Sequence, residues 1–255
     1  MNKEHWNKIA KNYYEEIISP LKDAEKNNPF EKDLKKLKKT KKTAIDLGCG
    51  TGPLLPELSK KYATVYGIDY SEEMVKKAKK HKKNNIKVEK ANLKNLKKYQ
   101  NKFDTCFAIN SILAKDIKSI NKIISEIYKT LKPGGKLYAV LPSMESYLYQ
   151  FMLIMDKEIE NGASQKTAKK KALDPFYDDD FDFVQGLTNF QKETQKSLYR
   201  FEIRYRFSKQ GFKNIKIQRV NYKWKAWKEA GHFYFPKEEP PWDWYLTCEK
   251  PRTTN

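Results

Sequence analysis

Arginine is scarce. Only five of the 52 basic residues are arginine, although the chain carries a formal charge of +20 over 255 residues. Planar guanidinium groups are the preferred readers of phosphate and guanine. A surface coated almost wholly in lysine therefore fits a general lysine preference at least as well as a dedicated nucleic-acid track. Cysteine is rarer still. Cys49, Cys106 and Cys248 are too scattered for a disulfide framework or a paired-thiolate metal site, and they read as packing residues with no metal expected. No stretch approaches the ~18 apolar residues of a membrane span, and Met1 leads straight into charged residues rather than the apolar run of a secretion signal. The expectation is a soluble, cytoplasmic protein with no membrane partner.

Order, by contrast, is well supported: 13% of residues are aromatic, more than disordered chains carry. The length suits one domain over 1–255. Trp6, Ile9, Ala10, Tyr13, Ile17 and Ile18 fall at helical spacing, which predicts an amphipathic helix over 5–18, followed by a basic lead-in to residue 42. Short apolar runs at 43–47, 64–69, 86–89, 103–109 and 135–141 read as buried strands. They alternate with helical segments, one of them over about 118–131. That alternation over 43–142 predicts a doubly wound α/β fold with a mostly parallel sheet. The pattern changes at 143–196 to a long helical or irregular stretch, read as a cap inserted after the fifth strand. A helix over 198–210 and two alternating runs at 215–220 and 242–249 complete the reading, the runs closing the sheet as an antiparallel pair.

The sharpest local feature is Asp46-Leu47-Gly48-Cys49-Gly50-Thr51-Gly52 at a strand-to-helix turn, followed by Asp69 at the end of the next strand. Glycines let the backbone turn tightly and approach a ligand, and a carboxylate ending the second strand suits the two hydroxyls of a ribose. A dinucleotide fingerprint would need glycine at position 53, which is proline, and Asp46 would repel a pyrophosphate. Beside a cationic ligand Asp46 is favourable, so the turn suits a nucleoside joined to a cation.

In these residues the chain resembles the class I S-adenosylmethionine-dependent methyltransferases, and more closely their small-molecule branch. Asp46 to Gly52 is similar to the family's first motif and Gly67-Ile68-Asp69-Tyr70-Ser71 to its ribose motif. Phe103-Asp104 resembles its fourth-strand motif, and Leu131-Lys132-Pro133-Gly134-Gly135 the turn before its fifth strand. The resemblance implies a seven-stranded sheet, a lid formed by the first helix, and S-adenosyl-L-methionine as cofactor. It assigns the methionine part of the cofactor to Asp46, Gly48 and Gly50, with Gly52 allowing close packing of the following helix, and the ribose to Asp69. Tyr70 and Met74 would flank the adenine, although Met74 fits an ordinary helix-face core position equally well. Asn92 and Leu93 fall where many members place an acidic residue against the adenine amino group, and Asn110 and Ser111 would face the methyl group and its entry path.

Methyl transfer from a sulfonium asks mainly for alignment, with a proton acceptor where the nucleophile starts protonated. Tyr13, Tyr14 and His232 are the candidates for that role. Asn110-Ser111-Ile112-Leu113 lacks the Pro-Pro-aromatic signature of amino methyltransferases acting on DNA bases, and no cysteine follows a proline as in many cytosine-C5 enzymes. Trp224, Trp227, Trp242 and Trp244 near the C-terminus read either as core beneath a hairpin or as an aromatic acceptor wall. The acidic run 178–182 reads as a solvated loop or an attractant for a cationic acceptor. The balance favours a small-molecule acceptor over RNA, and over a noncatalytic partner subunit.

Overall fold

A computed structural model describes residues 3–10, 17–81, 83–173, 182–190 and 193–252. Seven strands form one sheet in the order β3-β2-β1-β4-β5-β9-β8. β1 (Thr43–Leu47), β2 (Thr64–Asp69), β3 (Ile86–Lys90), β4 (Phe103–Ile109) and β5 (Leu131–Leu141) run parallel. β9 (Trp242–Glu249) lies antiparallel between β5 and β8 (Lys213–Asn221). The chain is thus a doubly wound α/β fold closed by an antiparallel pair, as its strand pattern predicts.

Alternation within the strands explains how both faces are covered. Ile45, Leu47, Cys106 and Ala108 turn to one side, where α5 (Ile117–Thr130) supplies Ile120, Ile123, Ile124 and Ile127 at helical spacing. Ala44, Val65 and Phe107 turn to the other, against Phe30 of α2 (Pro29–Lys36) and Leu55 and Leu58 of α3 (Leu55–Lys61). Asp116 starts α5 by accepting from Ser119 N at 2.7 Å. Ser71 starts α4 (Glu72–Ala78) by accepting from Met74 N at 3.2 Å. These are the side-chain caps that helix N-termini require. All three cysteines are free and buried, and no metal-binding cluster occurs among the described residues. No described helix is long and apolar enough to cross a membrane.

The first helix is shorter than its apolar spacing predicts. α1 covers Lys3–Ile9, residues 11–16 lie outside the described set, and Ile17 and Ile18 are not helical. A turn over residues 19–23 follows: Ser19 N donates to Asp23 Oδ2 at 2.9 Å, and Ser19 O accepts from Asp23 N. The cap also holds more order than expected. After α6 (Met144–Glu160) and α7 (Gln165–Leu173) comes an antiparallel hairpin of β6 (Leu187–Phe190) and β7 (Glu193–Lys196). Its polar sequence hides it from hydrophobic patterning. What seats it is Lys196, only 1% exposed, whose ammonium meets Glu202 Oε1 at 2.9 Å. Of the acidic run, residues 178–181 lie outside the described set, and Asp182 accepts from Gln185 N at 2.9 Å.

α8 (Arg200–Lys209) and a further short helix, α9 (Trp224–Glu229), flank β8. Trp242 and Trp244 are buried in the core cluster beneath the closing strands, which favours the packing alternative for these two. The cap joins the sheet at Ser143, a buried residue whose Oγ accepts from Ser146 N at 3.0 Å to start α6. Ser143→Ala is expected to cost about 1 kcal/mol of unfolding free energy, the usual value of a lost N-cap. An unchanged midpoint in chemical denaturation would show that the cap joins the core without that bond.

Candidate functional site

The sheet order reverses beside β1, because the connection after β1 goes to β2 on one side while β4 pairs on the other. Loops leaving the two strands diverge there, opening a crevice at the carboxyl ends where open α/β sheets bind ligands. The cleft found at this point is lined by Gly48 and Gly50 after β1 and by Asp69 and Tyr70 after β2. Met74 of α4, residues 91–94 after β3 and residues 109–111 at the end of β4 complete most of the wall, to which Trp6 of α1 also contributes.

The glycine turn is fixed by two backbone bonds, with Gly48 N and Cys49 N both donating to Ile68 O, at 2.7 and 2.9 Å. Gly48 has φ +69°, and a Cβ there would stand 2.4 Å from Ser111 Cβ. Only glycine therefore allows the end of β4 to pack against the turn. Gly52, at φ +81°, faces away from the cleft, where a Cβ would meet His81 and Leu55 at 2.9 Å and Ala78 at 3.1 Å. It brings the turn close to α3 and α4 and lines nothing.

Two carboxylates define the electrostatics. Asp69 accepts Gly50 N on Oδ2 and Ser71 N on Oδ1, both at 2.9 Å. Burial raises its pKa, while backbone N–H groups of Ser71, Gly50 and Tyr70 pull the other way. Asp46 lies behind the turn, 3% exposed. Burial first, and the nearby Asp69 charge second, push its pKa up to about 7. A buried carboxylate of this kind is costly without a cation, and a ligand with positive charge beside the turn would relieve it. Open space within 4 Å of the Gly50 Cβ position, the accessible Asp69 edge and the buried acid at Asp46 together fit a nucleoside bearing a cationic tail.

Met74 is both a wall residue and 1% exposed core, so its two readings coincide. Asn92 lines the cleft and accepts from Lys94 N on its Oδ1 at 2.9 Å. Leu93 lines the cleft beside it. α1 is moored to α4, Asn7 Oδ1 accepting from Ser71 Oγ at 2.6 Å and Ala10 O accepting from the Lys77 ammonium. Tyr13 and Tyr14 lie outside the described residues. His232 is not on the cleft: it stacks on Trp227 with ring centres 4.6 Å apart, and burial holds its pKa down to about 4.

Sequence reasoning did not single out Asp243 or Tyr222. Asn110, held in the left-handed region at φ +46°, donates through Nδ2 to Asp243 Oδ2 at 2.7 Å, and Tyr222 OH donates to the same oxygen at 2.5 Å. The signal available was one acid inside the aromatic run Trp242-Asp243-Trp244 of a buried strand.

A model of the methyltransferase domain matches residues 38–204, most of the chain. The chain belongs to the class I S-adenosylmethionine-dependent methyltransferases. Its sequence is 32% identical over 115 residues to a ubiquinone biosynthesis O-methyltransferase of Coxiella burnetii, covering 42% of this chain and 47% of that protein. The Pelagibacter ubique protein of the same name is 31% identical over 149 residues, covering 57% of this chain and 58% of its own. The chain thus spans about half the length of the curated relatives it matches. An S-adenosylmethionine-dependent methyltransferase from Mesorhizobium loti superposes with a TM-score of 0.61 over 88% of this chain and 98% of its own. At 15% identity that likeness carries the fold alone.

S-adenosyl-L-methionine is the cofactor of this methyltransferase family, and two outcomes are expected if it binds at the glycine turn, with Asp69 on the cleft wall and Asp46 behind it. Asp69→Ala is expected to weaken S-adenosylmethionine and S-adenosylhomocysteine alike by at least about tenfold, since charge-assisted hydrogen bonds are lost from both. Calorimetry on the folded variant reads this directly, and unchanged affinities would remove Asp69 from the ribose. Asp46 gives a pH dependence. Below about 7 the group is protonated, and a cationic ligand must displace that proton. S-adenosylmethionine binding should therefore weaken as pH falls from 7.5 to 5.5, by up to about tenfold per unit. Asp46→Asn should flatten the profile, and a persistent slope in that variant would place the titration elsewhere.

Proposed function

We propose that the protein transfers a methyl group from S-adenosylmethionine by in-line displacement to a small-molecule acceptor. The carrying observation is the way the cap ties to the wall of the cleft. Lys196 N, ending the cap hairpin, donates to Ala114 O at 2.8 Å, and Leu198 N donates to Pro142 O at 2.9 Å. The loop from Asn110 to Ala114 that forms one wall is thereby anchored to the end of the inserted segment, which supports a cap standing beside the acceptor's entry. A concave site with a fixed wall suits a small reactant, which must be aligned with the methyl group. The O-methyltransferase names of the curated relatives support the same class.

In this reading Asp69 takes the ribose hydroxyls, and Tyr70 and Met74 flank the adenine beside Asn92 and Leu93. Asp46, Gly48 and Gly50 hold the methionine end. Trp6 closes the cleft as part of a lid, a role its mooring to α4 through Asn7 makes mechanically direct. The bound cofactor supplies a methyl group activated on a positive sulfur. Asn110 and Ser111, at the end of β4, stand where the acceptor enters, and alignment there replaces the need for a strong base. As the new bond to carbon forms, the bond from that carbon to sulfur breaks, and an acceptor that began protonated releases its proton to water.

The charge of +20 is the observation behind the rival reading, methylation of RNA. Purified protein with methyl-labelled S-adenosylmethionine, offered a small-metabolite extract and total RNA in parallel, separates the two. Label is expected in the low-molecular-weight fraction, while RNA binding is weak and falls steeply with salt. Label fixed in tRNA at physiological salt would overturn the proposal. Binding of the cofactor with transfer to neither pool would point to a noncatalytic subunit.

A further inference from the structure

Asp243 occupies the second position of β9, 8% exposed, between two buried tryptophans. A carboxyl at that depth persists where donors surround it. Its three donors come from three distant parts of the chain: Asn110 Nδ2 at the end of β4, Tyr222 OH just after β8, and the backbone N–H of Ser143 at the start of the cap. Tyr222 is itself 3% exposed, with its hydroxyl pKa raised by burial and by the Asp243 charge. It is held from its other side by the ring of Trp227, centres 5.6 Å apart.

This arrangement decides which way a carboxamide points. Asp243 and Tyr222 leave only a place for a donor, so Asn110 has to present its NH2 group to them, and its Oδ1 is turned the other way. That oxygen is buried with no hydrogen-bond partner, and so is the Oγ of the adjacent Ser111. Both residues belong to the cleft wall, and Ser111 packs directly on Gly48 of the cofactor turn. Buried polar atoms without partners are rare in folded proteins. Two of them, on consecutive residues of a cleft wall, mark a place where a ligand group completes the bonding. A site built this way rejects ligands that lack the matching group, because its own polar atoms then stay unpaired.

Resting on the function proposed above, we infer that Asp243 and Tyr222 are positioning residues that lock Asn110, so that Asn110 Oδ1 and Ser111 Oγ select a methyl acceptor presenting an O–H or N–H donor beside the cofactor.

The test uses protein loaded with S-adenosylhomocysteine and two aromatic probes of similar shape, catechol, which has O–H donors, and 1,2-dimethoxybenzene, which has none. Calorimetry or ligand-detected NMR is expected to show catechol binding about tenfold more tightly. Asn110→Gly keeps the left-handed backbone without strain and should abolish that preference. Asp243→Asn and Tyr222→Phe free the carboxamide to rotate and should shrink the preference while S-adenosylhomocysteine affinity stays within about twofold. A merely structural role would lower the melting temperature and leave the ratio between probes where it was. Equal binding of the probes, binding of neither, or a preference that survives in Asn110→Gly overturns the inference. Failure of the wild-type protein to bind S-adenosylhomocysteine overturns the methyltransferase reading and this inference with it, whereas cofactor binding without discrimination overturns this inference alone.

Discussion

Everything at the cleft depends on the reversal of strand order beside β1. Because β2 and β4 flank β1 on opposite sides, the chain cannot cover the carboxyl end of β1 with a crossover helix, and the backbone there faces open space. A turn in that position has to be compact, which selects glycine. It also has to approach β4 closely, and Ser111 against Gly48 is the tightest expression of that demand. The same turn donates Gly50 N to Asp69, so the first two strands present their ends as one surface. Ligand geometry is therefore set by the sheet, not by the loops alone.

The cleft wall carries both signs of charge, with Asp69, Lys94 and Lys115 among its residues. The chain is strongly basic, yet the groups closest to the turn are two buried acids, with burial working against the ionised state of both. Lysine at the surface is screened within roughly 10 Å at ordinary ionic strength, whereas Asp46 and Asp69 act at short range in a poorly solvated site. The net charge of the protein thus says little about the sign of its ligand. A cation bound over Asp46 is stabilised by a group whose ionisation the fold alone disfavours, and this couples occupancy to the protonation of a residue the solvent hardly touches.

The strands and the glycine turn were readable because they are local. β1, β2 and β4 follow from short apolar runs, β9 from an alternating one, and the turn from five consecutive residues that end on Gly52. What stayed hidden depends on partners far along the chain. The hairpin of β6 and β7 has no apolar alternation, and rests on a lysine that is buried only because Glu202 lies six residues further on and folds back to meet it. The first helix showed the opposite failure, in which apolar spacing continued to Ile17 and Ile18, residues that are not helical and lead into a turn that Ser19 and Asp23 close. Periodicity records which face is apolar. It does not record where a side chain takes over a backbone bond.

Asp243 belongs to the same class of hidden feature, and in the reading proposed above it explains why acceptor recognition is harder to read than cofactor recognition. The cofactor side of the cleft is assembled from consecutive units of strand and turn, each with its own short motif. The acceptor side joins residue 110 to residues 143, 222 and 243, positions that meet only because β9 inserts antiparallel between β5 and β8. That insertion places β9 next to β5, so that the Asp243 side chain reaches across to Asn110 just after β4. One carboxyl can then hold the cap, the closing strand and the cleft wall at once. Changes in the cap can alter the acceptor side through this node without touching the glycine turn. A fold arranged in this way can keep its cofactor turn unchanged while the contacts around residue 110 are altered from distant parts of the chain.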